Sequence, residues 1–444
     1  MIDLSPAQGL VILFSVLIVG LLSGFPLAMC LGGTGLLVGY LALGSRMFPA
    51  MYLSAFSSVS SHSLLAIPLF IFMGVMIEKS GVASRVFDTF LVIMGRTRGS
   101  LAVITVLTGA ALAACVGIYS APCVMLTVMA LPGMMKHGYD KGLATGAITA
   151  AGCLGIIIPP SIQYIVYGPM AEISVGRMFM AGIIPGFLLA GLYIAYILVK
   201  CLVDPKAGPG LESSEIGVPI SAKAKGFFVS ILPIAVLIVG VLGSIFAGVA
   251  TPTEAAAVGS VVAVLMSLAY RSFAFEHLRG ALLSTLRISS MIIVIVYSAK
   301  IFMTTFMALG CGSVTEELIL AAPFGKWGVF AVIMLIITFL GMFLDWLGIV
   351  LIVVPIITPI VASVGFDPLW FAMMVCFSLQ VAYLSPPFCP AVYFVQGAAP
   401  PEYGITSATI LRGTMPFLGL IILLLALCVA FPEIILWLPS QMIA

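Results

Sequence analysis

Asp345 and Lys300 are ionisable side chains inside long apolar runs. The hydroxyls of Ser120, Ser161, Ser378 and Ser385 and the glycines Gly117, Gly155, Gly341 and Gly348 lie in similar surroundings. A charge within a membrane span costs about 2.5–3.5 kcal/mol or more, so each such residue needs a partner or a task. Hydroxyls, a carboxylate and freed backbone carbonyls together suit a hard cation such as sodium, and half-helix N-termini suit an anion. Sodium is therefore the one metal that these residue types lead one to expect, with no cofactor. Asp345 could bind that cation, cap a half-helix or repel a competing anion. Lys300 could meet a substrate carboxylate or pair with an acidic side chain, and the structural pairing is preferred. Tyr119, Ser120, Pro160, Gln163, Gln380 and Pro386, with Lys300, make up the candidate substrate-contacting set. Single Ser and Gly residues are also ordinary packing residues between membrane helices.

The elements that position these residues occur twice. Gly138 to Ser161 reads GYDKGLATGAITAAGCLGIIIPPS, and from Gly365 the chain reads GFDPLWFAMMVCFSLQVAYLSPP. In both, a Gly-aromatic-Asp turn opens an apolar helix and a Pro-Pro pair comes 21 residues after the glycine; the offset between copies is 227. Proline lacks the amide hydrogen and clashes with the preceding turn, so each copy reads as a broken helix. Ahead of each lies an apolar run interrupted near its middle, at 117–122 and 341–348. Each run is too long for one span and short for two, given about 20 residues per crossing. Two re-entrant hairpins followed by two broken helices is the reading, and such paired interruptions point to a secondary transporter's binding site.

The expected fold is an all-α polytopic membrane protein of two inverted repeats, each with a re-entrant hairpin and a broken transmembrane helix, as in elevator-type ion transporters. The first repeat spans 1–202, with its hairpin at about 100–136 and its broken helix at about 141–168. A polar linker covers 203–226, and the second repeat spans 227–444, with a hairpin at about 328–364 and a broken helix at about 368–396. Two amphipathic stretches, 83–98 and 273–286, read as helices lying in the membrane interface.

Of 444 residues, 62% are hydrophobic and 8% charged, which excludes a soluble globular protein. The first residues carry no basic region or cleavage site and read as mature sequence. The nine cysteines show no metal-ligand or disulfide spacing. Enzyme chemistry fares poorly. There is no HExxH and no phosphate-binding glycine loop, Tyr139-Asp140 lacks the Gly-x-Gly-Asp partner of an intramembrane aspartyl protease, and His62, His137 and His277 lie outside the expected spans. A net charge of +2 gives no reason to expect nucleic acid. Placing the linker in the cytoplasm puts fourteen Lys and Arg residues on that side against three opposite (Arg46, Arg177 and Lys326), with Lys300 inside a span. The first hairpin then opens to the cytoplasm and the second outward. A channel would want a continuous polar face along several helices, whereas the polar residues here gather at tips and breaks.

These residues resemble the large membrane subunit of tripartite ATP-independent periplasmic (TRAP) transporters, the DctM-like family. The resemblance rests on the ATPTEAAA stretch at 250–257, GIIIPPSI at 155–162, GIIPG at 182–186 and the Asp345 tip. It implies a sodium-coupled elevator importer in the bacterial inner membrane. Its partners would be a small four-helix membrane subunit (DctQ-like), a periplasmic substrate-binding protein, the membrane lipid and an organic-acid substrate. Trp346-Leu347-Gly348 after Asp345, Ser378, Ser385 and the Ser-poor first tip depart from the commoner pattern. They resemble the branch associated with 2-oxo acids and aromatic or other monocarboxylates. A stand-alone sodium–carboxylate symporter of related fold is the alternative.

Overall fold

A computed structural model describes residues 4–94, 97–210, 226–342, 344–386 and 389–442. Arg96, linker residues 211–225, Phe343 and Pro387 lie outside the described residues. Among those described, every regular element is a helix. Seven helices are long and apolar enough to cross a membrane, or nine if each of two bent pairs is one span.

The first half begins with α1 (Pro6–Leu22), α2 (Leu27–Leu43), α3 (Met47–Val59), α4 (Ala66–Lys79) and α5 (Val82–Met94), the last bent 57° from α4. The hairpin comes next as α6 (Ser100–Val116) and α7 (Ser120–Lys136), then the broken helix as α8 (Lys141–Cys153) and α9 (Ile162–Met170), then α10 (Val175–Val203). The second half contains α11 (Leu232–Phe246), α12 (Pro252–Ala269), α13 (Phe275–Ala308) and α14 (Cys311–Leu320). Its hairpin is α15 (Gly325–Gly341) and α16 (Trp346–Val364), its broken helix α17 (Pro368–Leu384) and α18 (Pro390–Ala398), and it closes with α19 (Ser407–Ala430) and α20 (Glu433–Ser440).

The repeated Gly-aromatic-Asp turn has a local explanation. Gly138 and Gly365 take positive φ of 72° and 80°, a conformation that costs glycine nothing. Two residues on, Asp140 accepts the Leu143 amide and Asp367 the Trp370 amide, each at 2.8 Å, so each aspartate caps its helix. Both broken helices therefore start on the same stop-and-cap device and end on proline. The linker's described beginning is tied to this end of the first hairpin, with Gly99 donating to the Gly208 carbonyl at 2.8 Å and Asp140 to Ala207 at 3.0 Å.

The expected interfacial helix at 273–286 is corrected. It is the first part of α13, a continuous helix of 34 residues. At 1.5 Å per residue α13 is about 51 Å long, so an apolar length suffices to cross the hydrocarbon while the end carrying His277, Arg279 and Arg287 projects beyond it. The polar pattern marks a protruding end, not a separate element.

Packing divides the helices into two groups. In one, α13 lies along α2, α3 and α4, and α12 along α4. In the other, α6 and α7 pack on α8, α15 on α17, and α19 on α8. The second group is also interlaced across the repeats: α16 lies on α9 and α7 on α18, so each hairpin leans on the other half's broken helix. Where α8 crosses α19, Gly142 and Gly146 meet Gly413 backbone to backbone. Each half thus carries a hairpin and a broken helix, and the chain is an all-α polytopic membrane protein.

Candidate functional site

Both hairpin tips line one cavity of about 300 Å³. Gly117 to Ser120 come from the first tip, Asp345 to Leu347 from the second, Gln163 from the far side of the first break, and Ile288 to Ile295 from α13. Helices of both groups therefore meet at this space.

The first tip and first break interlock. Gly117 ends α6 at φ 68°, and a β-carbon there would lie 2.7 Å from the Pro160 carbonyl; one at Gly155 would lie 2.7 Å from that of Ile118. The Gly117 carbonyl accepts the Ile162 amide at 3.2 Å. Ser161, fully buried, donates to Ile156 at 2.7 Å, and Tyr164 donates to Ile157 at 2.8 Å. The bond between Pro159 and Pro160 is cis. Gly117, Ser120, Gly155 and Ser161 are thus brought together, with Pro160 beside them. The first interruption is shorter than the sequence suggested, because Ser120, Ala121 and Pro122 already form the first turn of α7, where proline needs no amide partner.

Of the corresponding candidates in the second half, Gly341, Asp345, Gly348, Ser378 and Ser385, only some face the cavity or the break. Asp345 faces the cavity and caps α16, accepting the Leu347 amide at 3.3 Å. Ser385 is buried at the second break, and Pro386 beside it is exposed. Gly348, however, lies inside α16 with its α-carbon against Leu27 of α2, and its carbonyl belongs to the helix ladder. Ser378 donates to the Met334 sulfur at 3.1 Å, about 10 Å along α17 from the break. Both are packing residues here, a role that small residues share with ligands in membrane helices. Gly341 packs on Ala382, yet as the last residue of α15 its carbonyl lacks an intrahelical partner and stays a candidate. Lys300 does not line the cavity.

Sequence reasoning missed Tyr383 and Phe394. The Tyr119 ring stacks on Tyr383 with centroids 4.9 Å apart and meets Phe394 edge-on at 5.8 Å. Nothing in the spacing marks these two among the many aromatics of the chain. Buried side-chain atoms without a hydrogen-bond partner among the described residues concentrate in the same region. They are both amide atoms of Gln163 and of Gln380, the Tyr383 hydroxyl and the Ser385 hydroxyl, with Thr285 and Ser289 on α13; Thr108 and Tyr193 are the others. An unpaired buried polar group costs about 1–3 kcal/mol, so this is where a polar ligand recovers the most.

A second cavity of about 630 Å³ adjoins the first, sharing Ile118, Ser120, Ile288 and Phe394, and runs past Glu78 and Lys79 at the end of α4. The ATPTEAAA stretch lies outside both cavities. It starts α12 with a capping box, the Thr251 hydroxyl accepting the Glu254 amide at 3.3 Å and Glu254 accepting the Thr251 amide at 2.8 Å.

Re-entrant hairpins and broken helices converging on buried polar groups define a secondary membrane transporter. The family model described as "Tripartite ATP-independent periplasmic transporter, DctM component" matches residues 14–434, and the chain belongs to that family. The C4-dicarboxylate TRAP transporter large permease protein DctM of Rhodobacter capsulatus is 30% identical over 97% of this chain and 98% of its own. The sialic acid TRAP transporter large permease protein SiaM of Vibrio cholerae is 28% identical over 86% of this chain and 87% of its own. Among solved structures, the YdaH transporter of Alcanivorax borkumensis superposes with a TM-score of 0.64 at 15% identity, covering 96% of this chain and 98% of that one, which shows the fold.

Proposed function

We propose that the chain is the large permease of a sodium-driven importer in the bacterial inner membrane, taking an organic acid from a periplasmic binding protein and working beside a small four-helix membrane subunit. The carrying observation is the single cavity shared by both hairpin tips, the first break and α13. The helices that hold tips and breaks pack chiefly on one another, and α13 with its neighbours forms the other body, which supports an elevator motion of one against the other. With the basic side cytoplasmic, the second cavity runs from the site towards Lys79 and the cytoplasm, an inward-open arrangement. The linker at 203–226 then lies in the cytoplasm and the repeats are inverted. The solute is an organic acid of the 2-oxo or aromatic monocarboxylate kind that the tip residues resemble.

Proteoliposomes test this reading. Accumulation requiring the binding protein and an inward sodium gradient is the expected result. Uptake by this chain alone would make it a stand-alone symporter, and flux without any gradient would make it a channel.

The inverted arrangement has its own check. All nine native cysteines are buried, so single cysteines at exposed Lys136 and Ser363, at the open ends of the two hairpins, can be labelled against a low background. They should react with an impermeant maleimide from opposite faces of the membrane. Labelling of both from one face would mean parallel repeats.

A further inference from the structure

We infer that Gln163 is the residue that reads the substrate's carboxylate, and that the site is built for an acid with one anionic end and an apolar body. The inference rests on the import reading above and narrows its substrate. Gln163 is 1% exposed, lines the cavity, and has both its carboxamide oxygen and nitrogen unpartnered among the described residues. It is the second residue of α9, which starts directly after the break. The first amides of a helix have no intrahelical acceptor and favour an anion. Here the Ile162 amide is taken by Gly117 and that of Ile165 by Ser161, which leaves the amides of Gln163 and Tyr164 beside the carboxamide. Ser120, on the adjoining first tip, adds a hydroxyl to the same space.

The rest of the wall sets the other half of the specificity. Among the described residues no Lys, Arg or His lines the cavity, and its one charged group is the Asp345 carboxylate. Ile118, Met291, Ile292, Ile295 and Phe394 supply apolar surface. A carboxamide donates to a carboxylate without adding charge, so a single anionic end is served by neutral donors and a helix terminus. A second carboxylate would have to rest against this apolar surface or face Asp345, with only the Tyr119 hydroxyl and the Trp346 indole N–H as further side-chain donors. A polyhydroxylated acid would likewise leave most of its hydroxyls unpaired against the same wall.

The test is ligand-dependent thermal stabilisation of the purified protein in saturating sodium chloride. The probes are phenylpyruvate, 4-methyl-2-oxopentanoate, succinate and N-acetylneuraminate. The two monocarboxylates should half-saturate at concentrations at least about tenfold below the other two. Gln163→Ala should weaken them at least about tenfold, and Gln163→Glu should abolish stabilisation by placing a charge against the carboxylate. The unliganded midpoint of Gln163→Ala should stay at or above that of the unaltered protein, because the unpaired amide is gone; a purely structural glutamine would lower it. Stabilisation chiefly by succinate or N-acetylneuraminate, or unchanged half-saturation in Gln163→Ala, overturns the inference while leaving import standing. No stabilisation by any acid, together with failed uptake in proteoliposomes, overturns both.

Discussion

Asp345→Asn is expected to lower sodium-driven uptake about a hundredfold, a loss of roughly 2.7 kcal/mol, while the purified protein melts within about 3 °C of the unaltered one. Asparagine caps a helix about as well as aspartate, so the bond that now fixes α16, from the Leu347 amide to the carboxylate, survives the exchange. What is lost is the negative charge, the only one lining the cavity among the described residues. A carboxylate inside a membrane-spanning segment needs a partner, and the helix cap offers one amide where a bound cation offers a full charge. The sodium concentration needed for half-maximal uptake should rise steeply. Lys300→Met should not rescue the variant, because Lys300 does not line the cavity that Asp345 faces. Normal transport by Asp345→Asn would reduce Asp345 to a cap, and rescue by Lys300→Met would make the two a structural pair. Asp345→Ala separates the roles, since it removes the cap too and should cost a further ~1 kcal/mol of stability.

Gly146→Leu is expected to lower the thermal midpoint of the folded protein, whereas Gly419→Leu is not. At the α8–α19 crossing the backbone of Gly146 faces that of Gly413, and even a β-carbon at Gly146 would overlap the Gly413 carbonyl. Gly413 is met in the same way from Gly142, so no neighbouring side chain can swing aside to make room. Overpacking a tight core costs about 1–3 kcal/mol, and here two helix backbones must separate, so the cost falls at the upper end and the thermal midpoint should drop by about 3 °C or more. Gly419→Leu on the same helix α19 is the control. A β-carbon at Gly419 meets nothing within 4 Å, and that variant should melt normally. Equal melting of the two variants would show that α8 and α19 are not held by this close approach.

The sequence by itself determined the features whose physics is local. Proline removes an amide wherever it stands, glycine alone takes positive φ without strain, and an aspartate just after a turn caps the helix it opens. The two breaks, the two hairpins, the stop-and-cap turns at Gly138 and Gly365 and the long polar stretch between the halves were therefore all legible before any contact was known. The tertiary structure decided which residues share a space. Helices such as α6 are apolar around their whole circumference, so no face is marked by composition and a glycine or serine on one reads the same whether it lines a cavity or fills a crossing. Ser120 and Gln163 fell on the cavity, whereas Gly348 fell against α2 and Ser378 against Met334. The crossing of each hairpin onto the other half's broken helix, and the stacking of Tyr119 on Tyr383, bring together residues far apart in the chain. Local chemistry places the breaks, and only long-range packing chooses which side chains face each other across them.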